Sequence, residues 1–477
     1  MALRLFNSRT RALQPLEPMR AGRVSLYVCG MTPSGQPHIG HARTFLTFDV
    51  LRRHLLAKGL QVMHVQNVTD IDDKIIDRAR SEGQPWDAIV SRYYSEFELC
   101  ARRLELLAPD FSPRATEHME AIIAMVSGLI ERGDAYQTDD GVYFAVDKFA
   151  DYGLLSNRQI DELRAGSRIA VREKKRDWLD FALWKNQKPG EPAWQSPWGE
   201  GRPGWHIECS ALARRYLGDQ FDIHGGATDL IFPHHENEVA QTESFTGRSP
   251  MAQLWVHAGL VLVDGQKMSK SLGNFVPLAT LLDRYSPAAI RYLFLQTGYR
   301  KPTNFTDDAI VAAAKGLRGL YADAAALAAA SSPAQAHSAA HDEQLYARFE
   351  SFLDDDLNTA GALGWLQKSL TSRAATSALV DRCLRVLGLP LSVDEAGLGT
   401  VVREVTLQAA ARSGLAALAG DGAGSDEALV DRVLALRARA REVKDFPTSD
   451  KIREALASAG ISVKDTKDGT QWSLDGV

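Results

Sequence analysis

The hydrophobic pattern near the start of the chain predicts a strand, a loop, a helix and a second strand. Residues 25–28 form an apolar run typical of a strand, and loop-forming residues follow it. From His38 to Gly59, phenylalanine and leucine recur at helical spacing, and another apolar run follows at 62–65. This order is the βαβ unit of an α/β protein with a parallel sheet, whose ligands bind at the carboxyl ends of the strands. Since the first strand ends at Cys29, we expect Cys29 and His38 to lie at that edge.

The middle of the chain alternates between helical stretches and segments that interrupt them. Apolar spacing predicts helices within about 80–135, at 205–217 and at 237–245. The stretch 142–198 is rich in tryptophan, proline and charge, which predicts an irregular insertion into the sheet domain. The apolar run 254–263 ends in Asp264-Gly265, a strong turn signal, and we expect a mobile loop after it.

The last third of the chain is predicted to be mainly helical. Alanine fills 11 of the 19 positions in 322–340, where Ser331-Ser332-Pro333 breaks any helix. That segment is either a surface helical hairpin or a linker, and the pattern leaves both open. Helices are expected to about residue 418, followed by the glycine-rich connector 420–425 and a small terminal unit.

Composition narrows the class of protein. The chain has 477 residues, 45% of them hydrophobic, which is enough for two to four globular domains. Its formal net charge is −5, so a nucleic-acid partner would have to meet a local basic surface. Four scattered cysteines exclude a disulfide framework and indicate a reducing compartment. There is no signal-peptide pattern and no apolar run of about 18 residues, so we expect a cytoplasmic protein that does not span a membrane.

Two histidines stand where the first strand gives way to the first helix. In Pro37-His38-Ile39-Gly40-His41, the helix N-terminus is expected to offer free N–H groups and partial positive charge, and Gly40 allows close approach. His38 and His41 can donate hydrogen bonds to phosphoryl oxygens. Taken alone, the pair is equally well explained as a chance helix start.

A second candidate phosphate-binding segment follows the Asp264-Gly265 turn. Lys267-Met268-Ser269-Lys270-Ser271 places two ammonium groups and two hydroxyls on one loop. Such a loop is usually only a solvated surface, but lysines that close onto an α-phosphate also stabilise the charge that builds there as pyrophosphate leaves. Together the two segments resemble the paired H-I-G-H and K-M-S-K-S signatures of class I aminoacyl-tRNA synthetases, in the same chain order. The resemblance implies catalytic roles for His38, His41, Lys267 and Lys270, and binding of ATP at His38, Gly40, His41 and Lys270.

The chain also carries candidate metal ligands. His234 and Glu238 are spaced i, i+4, which turns both side chains to one helix face, and an imidazole nitrogen with a carboxylate oxygen suits a cation. Cys29 and Cys209 lie 180 residues apart, so spacing does not pair them, and a lone cysteine is more often a small buried apolar residue. From the residues alone only His234 and Glu238 are suggestive.

The segments around Cys29, at 205–209 and at 232–238 resemble the cysteinyl-tRNA synthetase family, and this resemblance extends over nearly the whole chain. It implies that Cys29, Cys209, His234 and Glu238 hold one Zn²⁺ that binds the substrate thiolate. It also implies a cysteine pocket that includes Gly30 and Trp205, with Thr69 and Asp229 at the ammonium and carboxylate ends of the substrate. Asp70, Asp72 and Asp73 are interpreted as a helix cap rather than a magnesium site.

Two departures from the family pattern concern the pocket wall. Residues 31–35 read Met-Thr-Pro-Ser-Gly where family members commonly have Pro-Thr-Val-Tyr-Asp, so the detailed wall of the nucleotide pocket is expected to differ. Ala227 replaces a glycine, which leaves the ligand positions intact.

The resemblance implies the following organisation: a Rossmann-like catalytic domain at 1–255 with an insertion at about 120–204, the K-M-S-K-S loop and stem-contact region at 256–320, a helical bundle at 321–419, and a small anticodon-binding unit at 425–477. Residues 429–453 hold seven basic and four acidic side chains, a local charge of +3 suited to phosphate contacts.

We therefore expect a monomeric cysteine–tRNA ligase whose partners are tRNA(Cys), ATP with Mg²⁺, and L-cysteine, acting through a cysteinyl-adenylate. The nearest alternative is the related ligase that joins activated cysteine to an amino sugar, which would not need the roughly 150 C-terminal residues that an anticodon reader requires. A noncatalytic RNA-binding or zinc-storage protein is the alternative outside the enzymes, and it leaves both phosphate-facing segments without a role.

Overall fold

The computed structural model describes residues 2–159, 174–268, 272–330, 339–389, 426–442, 445–458, 461–466 and 469–474. The prediction for Lys270, and those for the chain from 390 to 425, lie outside the described residues. None of the described helices is long and apolar enough to cross a lipid bilayer.

The chain opens with a short antiparallel hairpin and then forms the predicted βαβ unit. The hairpin consists of β1 (Arg4–Asn7) and β2 (Ala12–Pro15), and the unit of β3 (Arg23–Met31), α1 (Ile39–Ala57) and β4 (Gln61–Val68). Strands β3 and β4 are parallel, as predicted, and Leu26 lies beside His64 in their register. Phe48 and Leu51 of α1 are buried against Leu26, so the apolar face of the helix covers the sheet.

The segment 142–198, expected to be an irregular insertion, contains two strands of a four-stranded antiparallel sheet, so the prediction is wrong at 142–144 and 181–186. After α2 (Asp73–Glu82), α3 (Trp86–Arg103) and α4 (Met119–Arg132) come the strands β5 (Ala135–Thr138), β6 (Gly141–Phe144), β7 (Phe181–Asn186) and β8 (Gly201–Pro203), which pair in that order. Phe144, Leu183 and Trp184 are fully buried in a core shared with α4. The aromatic residues that obscured the pattern are therefore the inner face of this sheet.

The chain then returns to the parallel sheet. Its next elements are α5 (Trp205–Leu217), β9 (Phe221–Ala227), α6 (Glu236–Thr246) and β10 (Ala252–Ala258). Both helices were predicted at these positions. The strand order is β10–β9–β3–β4 and all neighbours are parallel, so the carboxyl ends of the four strands meet at one edge.

A second small sheet follows β10. It contains β11 (Val261–Val263), β12 (Gln266–Lys267) and, after α7 (Leu278–Arg284) and α8 (Pro287–Leu295), β13 (Thr303–Phe305). Strands β11 and β12 form a hairpin around Asp264-Gly265, which confirms the predicted turn, and β13 pairs parallel to β11.

The described part of the C-terminal third is mainly helical, as predicted. It comprises α9 (Asp307–Ala330), α10 (Ala339–Leu353), α11 (Thr359–Thr371), α12 (Ser377–Leu387), α13 (Asp426–Glu442) and α14 (Phe446–Ser458), followed by an antiparallel pair, β14 (Ile461–Thr466) and β15 (Gly469–Leu474). Residues 322–330 belong to α9 and 339–340 to α10, but 331–338 lie outside the described residues, so the choice between helical hairpin and linker stays open. The predicted fold class is thus confirmed: an α/β domain with a parallel sheet and an insertion, then helices and a small terminal unit.

Candidate active site and metal centre

A pocket of about 500 Å³ opens at the carboxyl edge of the parallel sheet. Nearly all the residues singled out from the sequence line it: Cys29, Gly30, His38, Gly40, His41, Thr69, Trp205, Cys209, Asp229, His234 and Lys267. Glu238 is fully buried behind the pocket wall, and Lys270 is not among the described residues. Gln36, Asn67, Lys74 and Phe275 also line the pocket and were not predicted, because no motif marks them.

Four side chains from distant parts of the chain converge at one end of this pocket. Cys29 lies near the end of β3, Cys209 lies on α5, His234 lies in the helical turn just before α6, and Glu238 lies in the first turn of α6. All four are buried, and one donor atom of each lies within 4.8 Å of the others. The Cys29 and Cys209 sulfurs are 3.7 Å apart, Cys29 Sγ lies 3.4 Å from Glu238 Oε1, and His234 Nε2 lies 3.0 Å from the same oxygen.

These separations fit a small tetrahedral cation. Zinc bonds of about 2.3 Å to sulfur and about 2.1 Å to nitrogen or oxygen would set two sulfurs about 3.8 Å apart, sulfur and oxygen about 3.6 Å, and nitrogen and oxygen about 3.4 Å. The observed distances follow the same order and are only slightly shorter. Two thiols, an imidazole and a carboxylate are also a donor set that Zn²⁺ accepts. The residues therefore fit the metal that the family resemblance implied.

The electrostatics of the cluster favour ionisation of two of the four donors, Cys209 and Glu238. Burial, with the neighbouring Cys209 and Glu238, instead raises the pKa of the Cys29 thiol well above its usual value. Burial raises the pKa of the Cys209 thiol, but the Cys29 thiol and the His234 imidazolium outweigh it and bring the pKa to about 6. Burial also opposes ionisation of Glu238, yet the neighbouring His224 and His234 rings lower its pKa to about 2. A thiolate and a carboxylate are the forms that a metal binds.

A second layer of histidines surrounds these donors and was missed from the sequence. His224 Nε2 lies 2.9 Å from Glu238 Oε2, His235 Nε2 lies 3.3 Å from Cys29 Sγ, and His206 Nδ1 lies 2.9 Å from His234 Nδ1. A second set of clustered donor atoms is formed by Cys29, His224, His235 and Glu238. The only signal was a polar residue inside an otherwise apolar run, as at His224 in β9, and it does not say what the ring faces.

At the other end of the pocket, the side chains of His38 and His41 cap the N-terminus of α1 reciprocally. His38 Nδ1 accepts from the Gly40 N–H at 3.1 Å, and His41 Nδ1 accepts from the His38 N–H at 3.1 Å. The Ile39 N–H donates to Val276 O at 3.2 Å and the His41 N–H to His38 O at 2.9 Å. The expectation of free backbone donors here is therefore wrong, because side chains and backbone of the protein already occupy them.

This capping fixes which nitrogen of each ring faces outward. When Nδ1 of a neutral imidazole accepts a hydrogen bond, the proton is on Nε2. Burial, with the nearby His38, holds the pKa of His41 well below its usual value, so His41 is neutral at physiological pH. The two rings stack with centroids 3.8 Å apart. The ring proton of His41 is therefore on Nε2, and both rings line the pocket.

The base of the loop beyond β12 is joined to the same helix end. Besides the Ile39 contact, the Leu278 N–H donates to Pro37 O at 2.8 Å, and Phe275 packs edge-on against His38 at 5.5 Å. Lys267 is exposed on β12 and lines the pocket. The fold therefore brings the first described lysine of the loop to the same pocket as the two histidines.

The predicted substrate residues form the wall between these two ends. Gly30 approaches β4 so closely that a Cβ there would lie 1.6 Å from the carbonyl oxygen of Asn67. Asn67 Oδ1 accepts from the Gly30 N–H at 2.9 Å, and its amide donates to Thr69 Oγ1 at 3.1 Å. The Trp205 indole stacks on His234 with centroids 4.3 Å apart, and Asp229 is exposed.

The acidic group before α2 has protein partners. Asp72 is the N-cap of α2 and accepts from the Lys74 N–H at 2.9 Å, which confirms the capping interpretation. Asp73 pairs with Lys185, and Asp70 accepts from the Thr116 hydroxyl at 2.6 Å.

Comparison with known proteins gives one consistent family. Residues 15–315 match the model of the class I (C) tRNA synthetase catalytic domain, and residues 427–472 match that of the cysteinyl-tRNA ligase anticodon binding domain. The cysteine–tRNA ligase of Heliobacterium modesticaldum is 44% identical over 99% of both chains. That of Thioalkalivibrio sulfidiphilus is 44% identical over 98% of this chain and 99% of the relative.

The chain belongs to the cysteine–tRNA ligase family. It is accordingly an enzyme of the class I aminoacyl-tRNA synthetases, as the sequence motifs indicated. Methionyl-tRNA synthetase of Mycobacterium tuberculosis, solved with methionyl-adenylate, shares the fold, with a TM-score of 0.56, 17% identity, and coverage of 86% of this chain and 96% of that one. The match of a cysteine–tRNA ligase over its full length includes the C-terminal unit, which the amino-sugar ligase alternative does not explain.

Proposed function

We propose that this protein ligates L-cysteine to tRNA(Cys) through a cysteinyl-adenylate, with a Zn²⁺ held by Cys29, Cys209, His234 and Glu238. The observation that carries the proposal is the lining of the pocket at the carboxyl edge of the sheet: metal donors lie at one end and the imidazole rings of His38 and His41 at the other. A substrate that places a thiol at the first end and a carboxylate near the second fits both. Cysteine is the amino acid with that chemistry.

In the first step the cysteine carboxylate attacks the α-phosphate of ATP and pyrophosphate leaves. His38 and His41 donate from Nε2 to the phosphoryl oxygens as negative charge builds there. Lys267 and Lys270 approach from the loop beyond β12, and Mg²⁺ accompanies the leaving phosphates. The terminal ribose hydroxyl of the tRNA then takes the acyl group and AMP leaves.

Selection of cysteine follows from the donor set. A metal held by these four residues would supply a Lewis acid that favours a thiolate. Serine cannot offer such a group near neutral pH, because its hydroxyl stays protonated. Trp205, packed on His234, forms the floor of this end. Gly30 and Thr69 lie beside Asn67 in the pocket wall. Asp229 is exposed at the pocket, and its carboxylate suits the ammonium group of the substrate. An apolar pocket alone would separate such close analogues by only about 1–3 kcal/mol.

The tRNA is proposed to bind along the later part of the chain. The match of 427–472 to an anticodon binding domain supports a role for the unit at 425–477, and the local charge of +3 over residues 429–453 within it suits phosphate contacts. The region 256–320 would meet the acceptor stem, and the bundle at 321–419 would set the distance between the two ends.

The proposal is tested with Cys209→Ser against Cys383→Ser. Both cysteines are fully buried, but Cys383 lies on α12, away from the pocket. We expect Cys209→Ser to lose bound zinc, measured by elemental analysis, and cysteine-dependent ATP–pyrophosphate exchange, while Cys383→Ser keeps both. Unchanged zinc and exchange in Cys209→Ser would contradict the ligand assignment. Pyrophosphate exchange without charging of bulk tRNA by labelled cysteine would instead favour the amino-sugar ligase, and absence of exchange would favour a noncatalytic protein.

A further inference from the structure

Arg43 lies on α1, two residues after His41, and has no part in the mechanism above. Two residues turn a helix by about 200°, so Arg43 points away from the pocket that His41 lines. Only 2% of its surface is exposed. A buried guanidinium on the helix that presents both histidines requires an explanation.

The guanidinium binds the end of another helix. Its Nη1 donates to Phe294 O at 2.8 Å, and its Nη2 donates to Gly298 O at 2.9 Å and to Thr297 O at 3.4 Å. The charged group also lies 5.4 Å from the Phe294 ring centroid. These carbonyls belong to the C-terminal end of α8, where the helix dipole is negative. The contact therefore caps α8 from α1.

Arg43 differs in this from three other buried arginines. Arg52 binds Asp110, Arg291 binds Asp49, and Arg202 binds Asp73 and Glu191. Within the described part of the chain, no carboxylate pairs with Arg43. Its hydrogen bonds all go to backbone carbonyls. Burial lowers the pKa of the guanidinium only to about 10, so it stays ionised at neutral pH. These hydrogen bonds form only when the backbone after α8 lies at one position relative to α1.

The backbone that Arg43 holds leads directly to the loop hairpin. Tyr299 O, next to Gly298, accepts from the Gly259 N–H at 2.8 Å, just before β11. Four residues further on, Thr303 begins β13, which pairs with β11 along its whole length. Strand β11 in turn pairs with β12, which carries Lys267. Arg43 is therefore linked to Lys267 by its side-chain hydrogen bond to Gly298 O, by the chain that runs from Gly298 to β13, and by the backbone pairing of β13 with β11 and of β11 with β12.

We propose that Arg43 is a positioning residue for adenylate formation, which sets the register between the helix bearing His38 and His41 and the hairpin bearing Lys267. This inference rests on the proposed function. The planar fork of arginine reaches carbonyls on both sides of the α8 terminus at once, whereas a lysine offers a single point charge and cannot fix both. Groups that must meet one phosphate tolerate little displacement, and a shift of about 1 Å can cost roughly 100-fold in rate.

The test compares Arg43→Lys with Arg52→Lys. Arg52 is on the same helix, is also buried, and likewise binds a backbone carbonyl, but at the far end from the pocket. We expect Arg43→Lys to lower kcat of cysteine-dependent pyrophosphate exchange by roughly 10- to 100-fold, with the KM for cysteine and the zinc content unchanged. Arg52→Lys should lower the thermal midpoint to a similar extent and leave kcat within about two-fold of wild type.

The outcomes separate the inference from the proposed function. Equal kcat values in Arg43→Lys and Arg52→Lys would overturn the role of Arg43. A fall in kcat that is proportional to the fall in thermal midpoint in both variants would overturn it as well. A wild-type protein without exchange would instead overturn the proposed function. Should Arg43→Lys not fold, Phe294→Leu removes the ring beside the guanidinium and keeps the carbonyls. Phe294→Leu should also lower kcat at constant KM for cysteine, but by a smaller factor than Arg43→Lys. An unchanged kcat in Phe294→Leu would count against the inference.

Discussion

The capping geometry of His41 predicts that its structural and catalytic roles reside in different nitrogens. Nδ1 accepts the backbone N–H of His38, and Nε2 keeps the proton for the pocket. In His41→Asn, Oδ1 occupies the place of Nδ1, but no donor reaches the place of Nε2. In His41→Gln, Oε1 can accept the same N–H, as glutamine does in a capping box, and the amide provides a donor further out. His41→Ala removes both.

The magnitudes follow from the two contacts. Loss of one preorganised donor to a developing oxyanion costs about 100- to 1,000-fold in kcat, which corresponds to about 2.7–4 kcal/mol. Loss of a helix cap costs about 1 kcal/mol of stability. We therefore expect His41→Asn to keep wild-type stability but to be as slow as His41→Ala. His41→Gln should keep both stability and much of the rate, and only His41→Ala should be destabilised.

Two assays on the same preparations decide this. Cysteine-dependent ATP–pyrophosphate exchange measures kcat, and urea unfolding measures the free energy of unfolding. The ranking of the variants should differ between the two assays. A His41→Asn variant with wild-type kcat would refute the assignment of Nε2 as the donor, and a His41→Gln variant as slow as His41→Asn would refute it as well.

Two further predictions concern packing and buried charge. Gly30→Ala would place a methyl group 1.6 Å from Asn67 O, so β3 and β4 must separate. We expect the free energy of unfolding to fall by about 1–3 kcal/mol and the KM for cysteine to rise. Gly319→Ala, which has open space around it inside α9, should leave the KM unchanged and raise the free energy of unfolding by about 0.5–1 kcal/mol. Asp49→Asn leaves the fully buried Arg291 without its anion and should cost about 3–5 kcal/mol at pH 7 in urea unfolding. Burial opposes ionisation of Asp49, but Arg291 outweighs it and the pKa lies below its usual value, so the difference between wild type and variant should shrink as the pH falls below about 4. A larger difference at acidic pH, or a Gly30→Ala variant with the wild-type KM, would contradict these arguments.

Local features of the fold were predictable because they depend on neighbours in sequence. The helix at 205–217, the βαβ unit and the Asp264-Gly265 turn follow from apolar spacing and turn chemistry. The antiparallel sheet at 135–203 was not recognised, because its buried tryptophans and phenylalanines lie among prolines and charges and show no clean alternation. Whether such a segment forms strands depends on strand pairing. Pairing joins residues that are distant in the chain, such as Phe144 and Phe181.

The candidate site divides along the same line. The i, i+4 spacing of His234 and Glu238 and the residue types of the two phosphate-facing segments are properties of the sequence by itself. That Cys29 meets Cys209 across 180 residues, that His224 and His235 back the metal donors, and that the N–H groups of α1 are already occupied are decided by the tertiary structure. The physical reason is that a donor's chemistry belongs to its side chain, whereas a hydrogen bond or a ligand set depends on distances of a few ångströms that only the packing of sheet and helices determines.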